Sequence, residues 1–339
     1  MTQVKKLDLA LQGGGAHGAY SWGVIDRLLE DERIEIEGIS GTSAGAMNGV
    51  VMADALTRGG KPLARQALTD FWQAVSRAGM ASPVRRSPMD VWTGNWSLDH
   101  SPGYIAMDLM TRLISPYQFN PLNVNPLRDI VDAHIDFERV RQCEQLKLFV
   151  AATNVRTGKQ RVFRREEMSL DAVMASACLP LMFQAVEIDG EAYWDGGYMG
   201  NPALFPLMEE CSSRDILLVQ INPISRDSVP TCASSILNRL NEITFNAALI
   251  KEIRMIALLQ HALEEQGIKN CYQQALFHRI SGEQALENLS VSSKMNSEWA
   301  FLSHLFEQGR DAAQRWLDEH FEAIGNHSTL DIDAVYLHD

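Results

Sequence analysis

Ser43 has the setting in this chain that most favours nucleophilic chemistry. It lies in GTSAG, residues 41–45, a G-x-S-x-G pattern in which Gly41 and Gly45 flank the serine. An apolar run precedes the motif and a small-residue helix is predicted after it, as a nucleophile elbow requires. Flanking glycines allow a tight bend, and a helix N-terminus favours developing negative charge. The pattern alone also fits a tight turn whose serine only caps the helix.

A second candidate motif is GGGAHG, which runs from Gly13 to Gly18 and also lies between an apolar run and a predicted helix. It matches G-x-G-x-x-G, the dinucleotide-binding fingerprint, so a nucleotide-binding module is one interpretation. Such a site also needs an acidic residue at the end of the second strand, where this chain has glycine and serine. The same turn could direct main-chain N–H groups at an oxyanion, with Gly14 and Gly15 as leading donors beside Gly13.

A serine nucleophile needs a base, and no histidine pattern provides one. The chain has nine histidines, and His17 lies inside the glycine turn itself. Asp195 is the better candidate, because it ends a predicted strand and is followed by Gly196 and Gly197. An aspartate is a weak base at its reference pKa of ~3.9, but burial beside apolar residues such as Trp194 would raise that pKa. Taken alone, this stretch also fits a plain D-G turn.

The elements that must position these residues alternate between strand and helix. LDLALQ (7–12) and IEIEGISG (34–41) read as buried strands, and each is followed by a helical pattern. This order predicts a mostly parallel sheet covered by helices. LKLFVAATNV (146–155) is a further strand with QRVFR as its hairpin partner, and two strands joined by Asp189-Gly190 lead to Asp195.

Two regions carry no catalytic motif. Residues 80–126, rich in proline and tryptophan, are predicted as an irregular insertion with one helix near 104–114, either a packed loop or a lid. Residues 232–339 are predicted as a mainly helical C-terminal part, with ALFHRIS as a strand and two helices over 295–325. No linker or internal repeat is visible, so 1–339 is predicted to be a single domain.

Composition and charge narrow the classes of function. The chain is 46% hydrophobic and 22% charged, as globular proteins are, and its net charge of −13 argues against general nucleic-acid binding. Five scattered cysteines form neither a zinc pattern nor a disulfide framework, which favours a reducing compartment. No signal peptide and no run of ~20 apolar residues is evident. We therefore expect a cytoplasmic protein that could still be peripheral at a membrane.

The three motifs in this order resemble those of the patatin-like phospholipase family. In that family G-G-G-x-[K/R]-G supplies the oxyanion donors, the serine of G-x-S-x-G is the nucleophile, and the aspartate of D-G-[A/G] is the base. Here GGGAHG, GTSAG and DGG match, and the resemblance extends over residues 7–225. It implies an α/β fold, a three-layer α/β/α sandwich with a mostly parallel central sheet, which needs no metal and no cofactor.

The resemblance also implies a mechanism and a substrate class. Ser43 would attack the carbonyl of a lipid ester and Asp195 would take the proton, with an acyl-serine intermediate and no catalytic histidine. A phospholipase or lysophospholipase is the first expectation. A polyhydroxyalkanoate depolymerase, a general esterase and an acyltransferase stay open, because the motifs encode neither the acyl chain nor the acceptor. His17 departs from the family's lysine or arginine and could hold a phosphate only when protonated, so His17→Arg is expected to retain activity.

A basic hairpin at residues 151–165 is a candidate contact for a membrane surface. Residues 151–165 contain five basic residues and no acidic one. This composition fits a charged edge that protects a hairpin, and it also fits a patch that meets anionic lipid head groups. Oligomeric state is not indicated by any feature of the sequence.

Overall fold

An eight-stranded sheet organises the chain, which a computed structural model describes over residues 4–337. The strands are β1 (Lys5–Leu11), β2 (Ile34–Gly41), β3 (Lys147–Asn154), β4 (Gln160–Arg164), β5 (Val186–Ile188), β6 (Glu191–Asp195), β7 (Asp215–Gln220) and β8 (Leu276–Ser281). Their order is β5-β6-β3-β2-β1-β7-β8, with β4 also paired to β3. Strands β3, β2, β1, β7 and β8 are parallel, whereas β4, β5 and β6 are antiparallel additions.

Thirteen α-helices connect and cover the strands in the described part of the chain. They are α1 (Gly18–Glu30), α2 (Ala44–Gly79), α3 (Pro88–Thr93), α4 (Pro102–Leu113), α5 (Pro116–Phe119), α6 (Pro126–His134), α7 (Phe137–Arg141), α8 (Leu170–Ser176), α9 (Phe205–Glu210), α10 (Ala233–Glu265), α11 (Cys271–Gln274), α12 (Glu283–Leu286) and α13 (Trp299–His320). Helix α2 is broken at Gly59–Gly60, as the sequence GGKP predicts. None of the described helices is both long enough and apolar enough to cross a membrane.

The sheet has an apolar core on each face, and strand β1 shows why. Its leucines Leu7, Leu9 and Leu11 pack with helices α1, α2 and α13 in one cluster. Ala10 points to the opposite face and joins a second cluster with residues of α9 and α10. Because successive strand residues point to opposite faces, both helical layers are required to bury the strand. The predicted three-layer α/β/α sandwich with a mostly parallel sheet is confirmed.

The C-terminal part is more closely integrated with the sheet than a helical appendage would be. The predicted strand ALFHRIS corresponds to β8, which pairs in parallel with β7. The prediction of two helices over 295–325 is wrong, because one helix, α13, spans most of that range and only a 3-10 turn follows. Gly309 lies inside α13, where a side chain would meet the Tyr20 carbonyl oxygen of α1. That glycine permits close helix packing and does not end the helix.

The insertion at 80–126 is more regular than the sequence predicts. It contains α3, α4 and α5, and α4 coincides closely with the helix expected near 104–114. Each of these helices begins with proline after a serine, which is a common N-terminal pattern. Its last part contacts the segment before β5, where Gln184 Nε2 donates to the Asn120 carbonyl oxygen at 2.9 Å.

Candidate active site

Ser43 occupies a sharp bend between β2 and α2. Its backbone has φ 53° and ψ −118°, an unusual conformation for a residue other than glycine. A side chain at Gly41 would come within 2.6 Å of the Gly45 main chain, and one at Gly45 would meet the Leu11 carbonyl oxygen. Both glycines are therefore required by the close approach of the chain to itself at this bend.

Two hydroxyl groups, those of Ser176 and Thr42, hold the bend in place. The main-chain N–H of Ser43 donates to Ser176 Oγ at 2.9 Å, and Ser176 is fully buried at the end of α8. Thr42 Oγ1 donates to the Gly200 carbonyl oxygen at 2.7 Å, which ties the bend to the loop after Asp195. Neither contact has a sequence signature, since isolated serines and threonines are common in helices and turns.

The glycine turn that follows β1 packs directly against Ser43. A side chain at Gly13 would lie 2.8 Å from both Ser43 Cβ and the Thr42 carbonyl oxygen. The N–H of Gly13 already donates to Asn201 Oδ1 at 2.6 Å. Gly13 therefore provides room beside Ser43, while its own N–H group is occupied.

The next two glycines of the turn retain free donors. The N–H groups of Gly14 and Gly15 make no hydrogen bond to another described residue. Gly15 has φ 58°, and a side chain there would meet the Lys294 carbonyl oxygen. The turn thus leaves two unsatisfied main-chain donors close to the nucleophile candidate, in a conformation that only glycine adopts easily.

A buried amide network holds this turn from both sides. Asn201 accepts from the Gly13 N–H, and Asn222 Nδ2 donates to the Gly13 carbonyl oxygen at 2.8 Å. Gln12 links the two, because its Nε2 donates to the Asn201 carbonyl oxygen and its Oε1 accepts from the Asn222 side chain. Asn246 of α10 accepts from Gln12 Nε2 at 3.1 Å. All four amides are buried, so their hydrogen bonds fix the turn without competition from solvent.

Asp195 ends β6 and is fully buried. Its Oδ1 accepts from the Gly197 N–H at 2.7 Å, and its own N–H donates to the Cys178 carbonyl oxygen at 2.8 Å. No described group makes a well-formed hydrogen bond to Oδ2. Burial raises the pKa of Asp195 to about 7, against the lowering effects of the Gly197 N–H, the nearby Ser43 hydroxyl and Lys294. The carboxyl group is therefore poised to gain or lose a proton near neutral pH.

The two glycines after Asp195 are needed for space. A side chain at Gly196 would meet the Ala151 carbonyl oxygen and lie 3.0 Å from Thr42 Cγ2. A side chain at Gly197 would meet the ring of Phe245, a residue of α10. The D-G-G stretch thus brings the carboxylate strand, the Ser43 bend and α10 into contact.

His17 is placed differently from a cation that would hold a phosphate. It is buried, with Nε2 2.8 Å from Ser293 Oγ and its ring edge-on to Phe301. Burial lowers the pKa of His17 to about 3, with a smaller effect of Lys294, so the ring is neutral. An arginine here would bury a guanidinium among these groups, so we now expect His17→Arg to destabilise the fold. Gly18 beside it is also constrained, because a side chain would lie 2.5 Å from Ala44 Cβ.

Lys294 is a residue of this site that the sequence did not reveal. It lies in a 3-10 turn, Val291–Met295, that packs against the glycine turn. Its Nζ donates to Asn222 Oδ1 at 2.8 Å and to Asn241 Oδ1 at 3.0 Å. A lone lysine in a region without a motif gives no signal, and only the fold brings it to this site.

A histidine with hydrogen bonds like those of a catalytic triad lies elsewhere. His278 Nε2 is 3.0 Å from Asp215 Oδ1, and its Nδ1 is 2.9 Å from Thr329 Oγ1. Asp215 begins β7, whereas Ser43 follows the end of the parallel strand β2, so the two groups lie at opposite ends of the sheet. His278 is fully buried and cannot serve Ser43. Across residues 4–337, no group of three or more His, Cys, Asp or Glu side chains is arranged to hold a metal ion.

Comparison with protein families gives one match. A family model described as patatin-like phospholipase matches residues 9–208, which include the glycine turn, Ser43 and Asp195. The match ends before Asn222, α10 and Lys294. A search of curated proteins finds no match.

Two solved structures illustrate the similarity at low identity. VipD from Legionella pneumophila is 15% identical, with a TM-score of 0.44 over 94% of this chain and 67% of that one. ExoU, a type III effector protein from Pseudomonas aeruginosa, is 13% identical, with a TM-score of 0.36 over 93% of this chain and 53% of that one. The chain thus spans about two thirds of the first structure and about half of the second. Of these similarities, the family match alone is used to classify the chain.

Proposed function

We propose that this chain, which belongs to the patatin-like phospholipase family, is a serine hydrolase of lipid esters that uses Ser43 and Asp195 as a dyad. The observation that carries the proposal is the Asp195 carboxyl group. It is fully buried, its Oδ2 lacks a well-formed hydrogen bond, and it lies near a strained serine bend and two free glycine N–H groups. A desolvated carboxylate with an open acceptor suits a general base.

Acylation would begin with attack of Ser43 Oγ on the ester carbonyl carbon. Asp195 Oδ2 accepts the hydroxyl proton as the new C–O bond forms, and the carbonyl oxygen becomes an oxyanion. The free N–H groups of Gly14 and Gly15 are the donors we assign to that oxyanion. Asp195 then gives the proton to the leaving alkoxide, which departs as an alcohol and leaves an acyl-serine.

Deacylation would use the same groups in the same roles. Asp195 accepts a proton from water, and the hydroxide adds to the acyl carbon of the acyl-serine. The second oxyanion again faces Gly14 and Gly15. When it collapses, the proton returns from Asp195 to Ser43 Oγ and the carboxylic acid leaves. The Asp195 pKa of about 7 fits a group that must both take and give a proton at neutral pH.

The insertion at 80–126 supports a lipid substrate presented at a surface. It exposes large apolar side chains, with Trp92 83%, Leu113 74% and Leu122 85% exposed. The insertion is connected to the site, because Gln184 contacts Asn120 and also accepts from the thiol of Cys178. We propose that this surface meets lipid aggregates peripherally. Leu122→Asp should lower hydrolysis of vesicles and leave a soluble short-chain ester unaffected, and equal rates on vesicles would contradict the contact.

A fluorophosphonate probe tests the dyad. It should label the wild-type chain, fail to label Ser43→Ala, and label Asp195→Asn far more slowly, because such probes need an activated serine. If the wild-type chain is not labelled under conditions in which a control hydrolase reacts, the proposed dyad is contradicted. Saturable NAD binding without labelling would instead favour a nucleotide module.

Substrate class needs a second measurement. A panel of phospholipids, lysophospholipids, neutral glycerides and hydroxyalkanoate oligomers, with product analysis, would report the head group and whether water is the acceptor. We expect free fatty acid from the phospholipids or lysophospholipids. Preference for the oligomers would indicate a depolymerase, and transfer to an added alcohol would indicate an acyltransferase.

A further inference from the structure

Lys294 lies in the part of the chain that the family match does not cover, yet it contacts the catalytic region. Its carbonyl oxygen lies against Gly15, and its ammonium donates to Asn222. Asn222 in turn donates to the carbonyl oxygen of Gly13. One side chain thus connects a positive charge to the turn that packs on Ser43.

The ammonium of Lys294 has no carboxylate partner within ion-pair distance among residues 4–337. Its two hydrogen-bond acceptors are neutral amide oxygens, those of Asn222 and Asn241. Glu242 of α10, the carboxylate whose charge acts most on Lys294, is already bound by Arg226 and by Arg239, the latter at 3.1 Å. The charge of Lys294 is therefore not neutralised by a direct ion pair.

The aromatic ring of Phe245 lies beside both the Lys294 ammonium and the loop after Asp195. The ammonium lies 5.3 Å from the ring centroid of Phe245, in a cation–π arrangement. The same ring fills the space beside Gly197, whose N–H binds Asp195 Oδ1. Lys294 lowers the pKa of Asp195, although less than the Gly197 N–H and the Ser43 hydroxyl do. The charge of Glu242, and after it that of Asp195, raises the pKa of Lys294. Lys294 and Asp195 therefore act on each other across the Phe245 ring.

The other titratable groups that interact with this pair are neutral or already paired. Burial raises the pKa of Cys178 and that of Tyr198 to about 12 each, so neither is charged at neutral pH. Burial lowers the pKa of His17 to about 3, which leaves it uncharged as well. Ser43 does not titrate, and Glu242 and Arg226 neutralise each other beside Lys294. Lys294 is thus the cation that interacts with Asp195 among the described residues.

We propose that Lys294 is a positioning residue of the active site, whose ammonium packs on the Phe245 ring beside the loop after Asp195 and whose bond to Asn222 fixes the glycine turn. Its charge also favours the ionised form of Asp195. The proposal rests on the Ser43–Asp195 dyad proposed above. It gives the region after residue 208 a defined part in catalysis. A neutral side chain at 294 would leave the buried carboxylate without its stabilising charge.

The expected dependence of activity on pH follows from the charges of Asp195 and Lys294. Catalysis needs Asp195 ionised, so activity falls as pH drops through its pKa of about 7. Burial lowers the pKa of Lys294 to about 8, so its charge is lost as pH rises through that value. The wild-type profile should therefore show an acidic limb set by Asp195, and the charge of Lys294 should keep that limb at lower pH than it would otherwise have.

The first experiment measures kcat/KM against pH with a neutral, soluble p-nitrophenyl ester. Lys294→Gln should move the acidic limb to higher pH, so that it loses activity several-fold at pH 7 and approaches wild type at pH 9. Lys294→Arg should keep an acidic limb near that of wild type, because arginine stays charged. Lys269→Gln, which removes an exposed lysine elsewhere, should match wild type. An acidic limb unmoved in Lys294→Gln, or equal losses in the Gln and Arg variants, would overturn the proposal.

A second experiment tests the same coupling without turnover. It is a double-mutant cycle of unfolding free energies for Lys294→Gln and Asp195→Asn in the full chain. We expect a non-zero coupling in the direction of attraction at pH 7.5, between the two pKa values, which weakens at pH 5 where Asp195 is protonated and at pH 9 where Lys294 is neutral. No coupling at pH 7.5 would refute the electrostatic role. Because this measurement needs no ester, a chain that failed as a hydrolase would still give a decisive answer.

Discussion

The central sheet contains two fully buried aspartates, Asp195 and Asp8, and only one of them has the surroundings of a catalytic group. Asp195 ends β6 and faces the Ser43 bend. Asp8 lies in the middle of β1, and neither of its carboxyl oxygens has a well-formed hydrogen bond. Burial raises the pKa of Asp8 to about 8, and the charge of Glu37 adds to that rise. By desolvation alone, the two carboxyl groups would be equal candidates for a base.

The residues around Asp8 and Asp195 distinguish the two carboxyl groups. Asp8 lies against the Cys211 thiol, and burial raises the pKa of that thiol, so it stays neutral. A side chain at Gly38 would lie 2.9 Å from Asp8 Oδ1, so this carboxyl group packs closely against strand β2. Asp195 instead has a serine on a strained bend and unsatisfied N–H donors nearby. A perturbed carboxyl group indicates a site only when a nucleophile and space for substrate accompany it.

The largest expected effect contrasts the two aspartates in activity. Asp195→Asn should reduce kcat/KM by about 10³-fold or more, because it removes the proton acceptor while keeping the shape. Asp8→Asn should change kcat/KM less than about threefold, since the buried Asp8 carboxyl group is already largely neutral at pH 7. Steady-state kinetics with one ester, alongside circular dichroism to check folding, measures both. A comparable loss in Asp8→Asn would remove the distinction between the two aspartates.

The second effect concerns stability, where the two aspartates should behave alike. A carboxyl group whose folded pKa is raised contributes stability below its unfolded pKa of ~3.9, and that contribution is lost as pH rises through the folded pKa. For Asp195 the loss by pH 9 is at most about 4 kcal/mol, at ~1.4 kcal/mol per pKa unit. In urea unfolding, the free energy of unfolding of both Asn variants should therefore increase relative to that of wild type between pH 4 and pH 9. A gain that does not grow with pH would contradict the assigned burial effect.

The third effect tests the glycine turn with a matched pair. Gly15 has φ 58° and Gly158 has φ 65°, so alanine strains either backbone by a similar ~1 kcal/mol. Only at Gly15 would the new methyl group meet another main chain, that of Lys294. Gly15→Ala should lower kcat by about 10²-fold as the oxyanion donors move, whereas Gly158→Ala should leave it unchanged. Equal kcat values in folded samples would argue against this turn as the oxyanion site.

The smallest effect separates a structural histidine from a catalytic one. His278→Gln should reduce the free energy of unfolding by about 1–3 kcal/mol, because it disturbs buried hydrogen bonds to Asp215 and Thr329. Its kcat/KM should stay within twofold of wild type. His261→Gln, at an exposed histidine on α10, should change neither quantity. A large activity loss in His278→Gln would connect the far end of the sheet to catalysis.

Local pattern predicted the elements that carry the motifs. IEIEGISG coincides with β2, and Asp189-Gly190 forms a two-residue turn with φ 51° and 79°, as D-G between strands predicts. The glycine spacing around Ser43 reflects steric needs that are local, and so a short stretch of sequence is enough to reveal them. The catalytic roles of Ser43 and Asp195 stay predictions until the dyad is tested.

Local sequence patterns could not predict the contacts between residues that are distant in the chain. The N–H of Gly13, which we predicted from the sequence to be an oxyanion donor, donates instead to Asn201 Oδ1. The side chain of His17 is buried in the core. Lys294 and Asn222 are single polar residues without periodicity or spacing to distinguish them. Their importance arises from where the fold places them, and a pattern within one stretch cannot encode that placement.

The position of β1 has a consequence for folding. This strand lies between β2 and β7, and Leu9 pairs with Leu217, beyond the end of the family match at 208. A fragment that stopped at 208 would retain all three motifs and leave an apolar strand with an unpaired edge, which is a template for aggregation. The stretch recognised by sequence is therefore not an independent folding unit. Completing the sheet requires a contact between segments far apart in the chain, which favours slow, cooperative assembly.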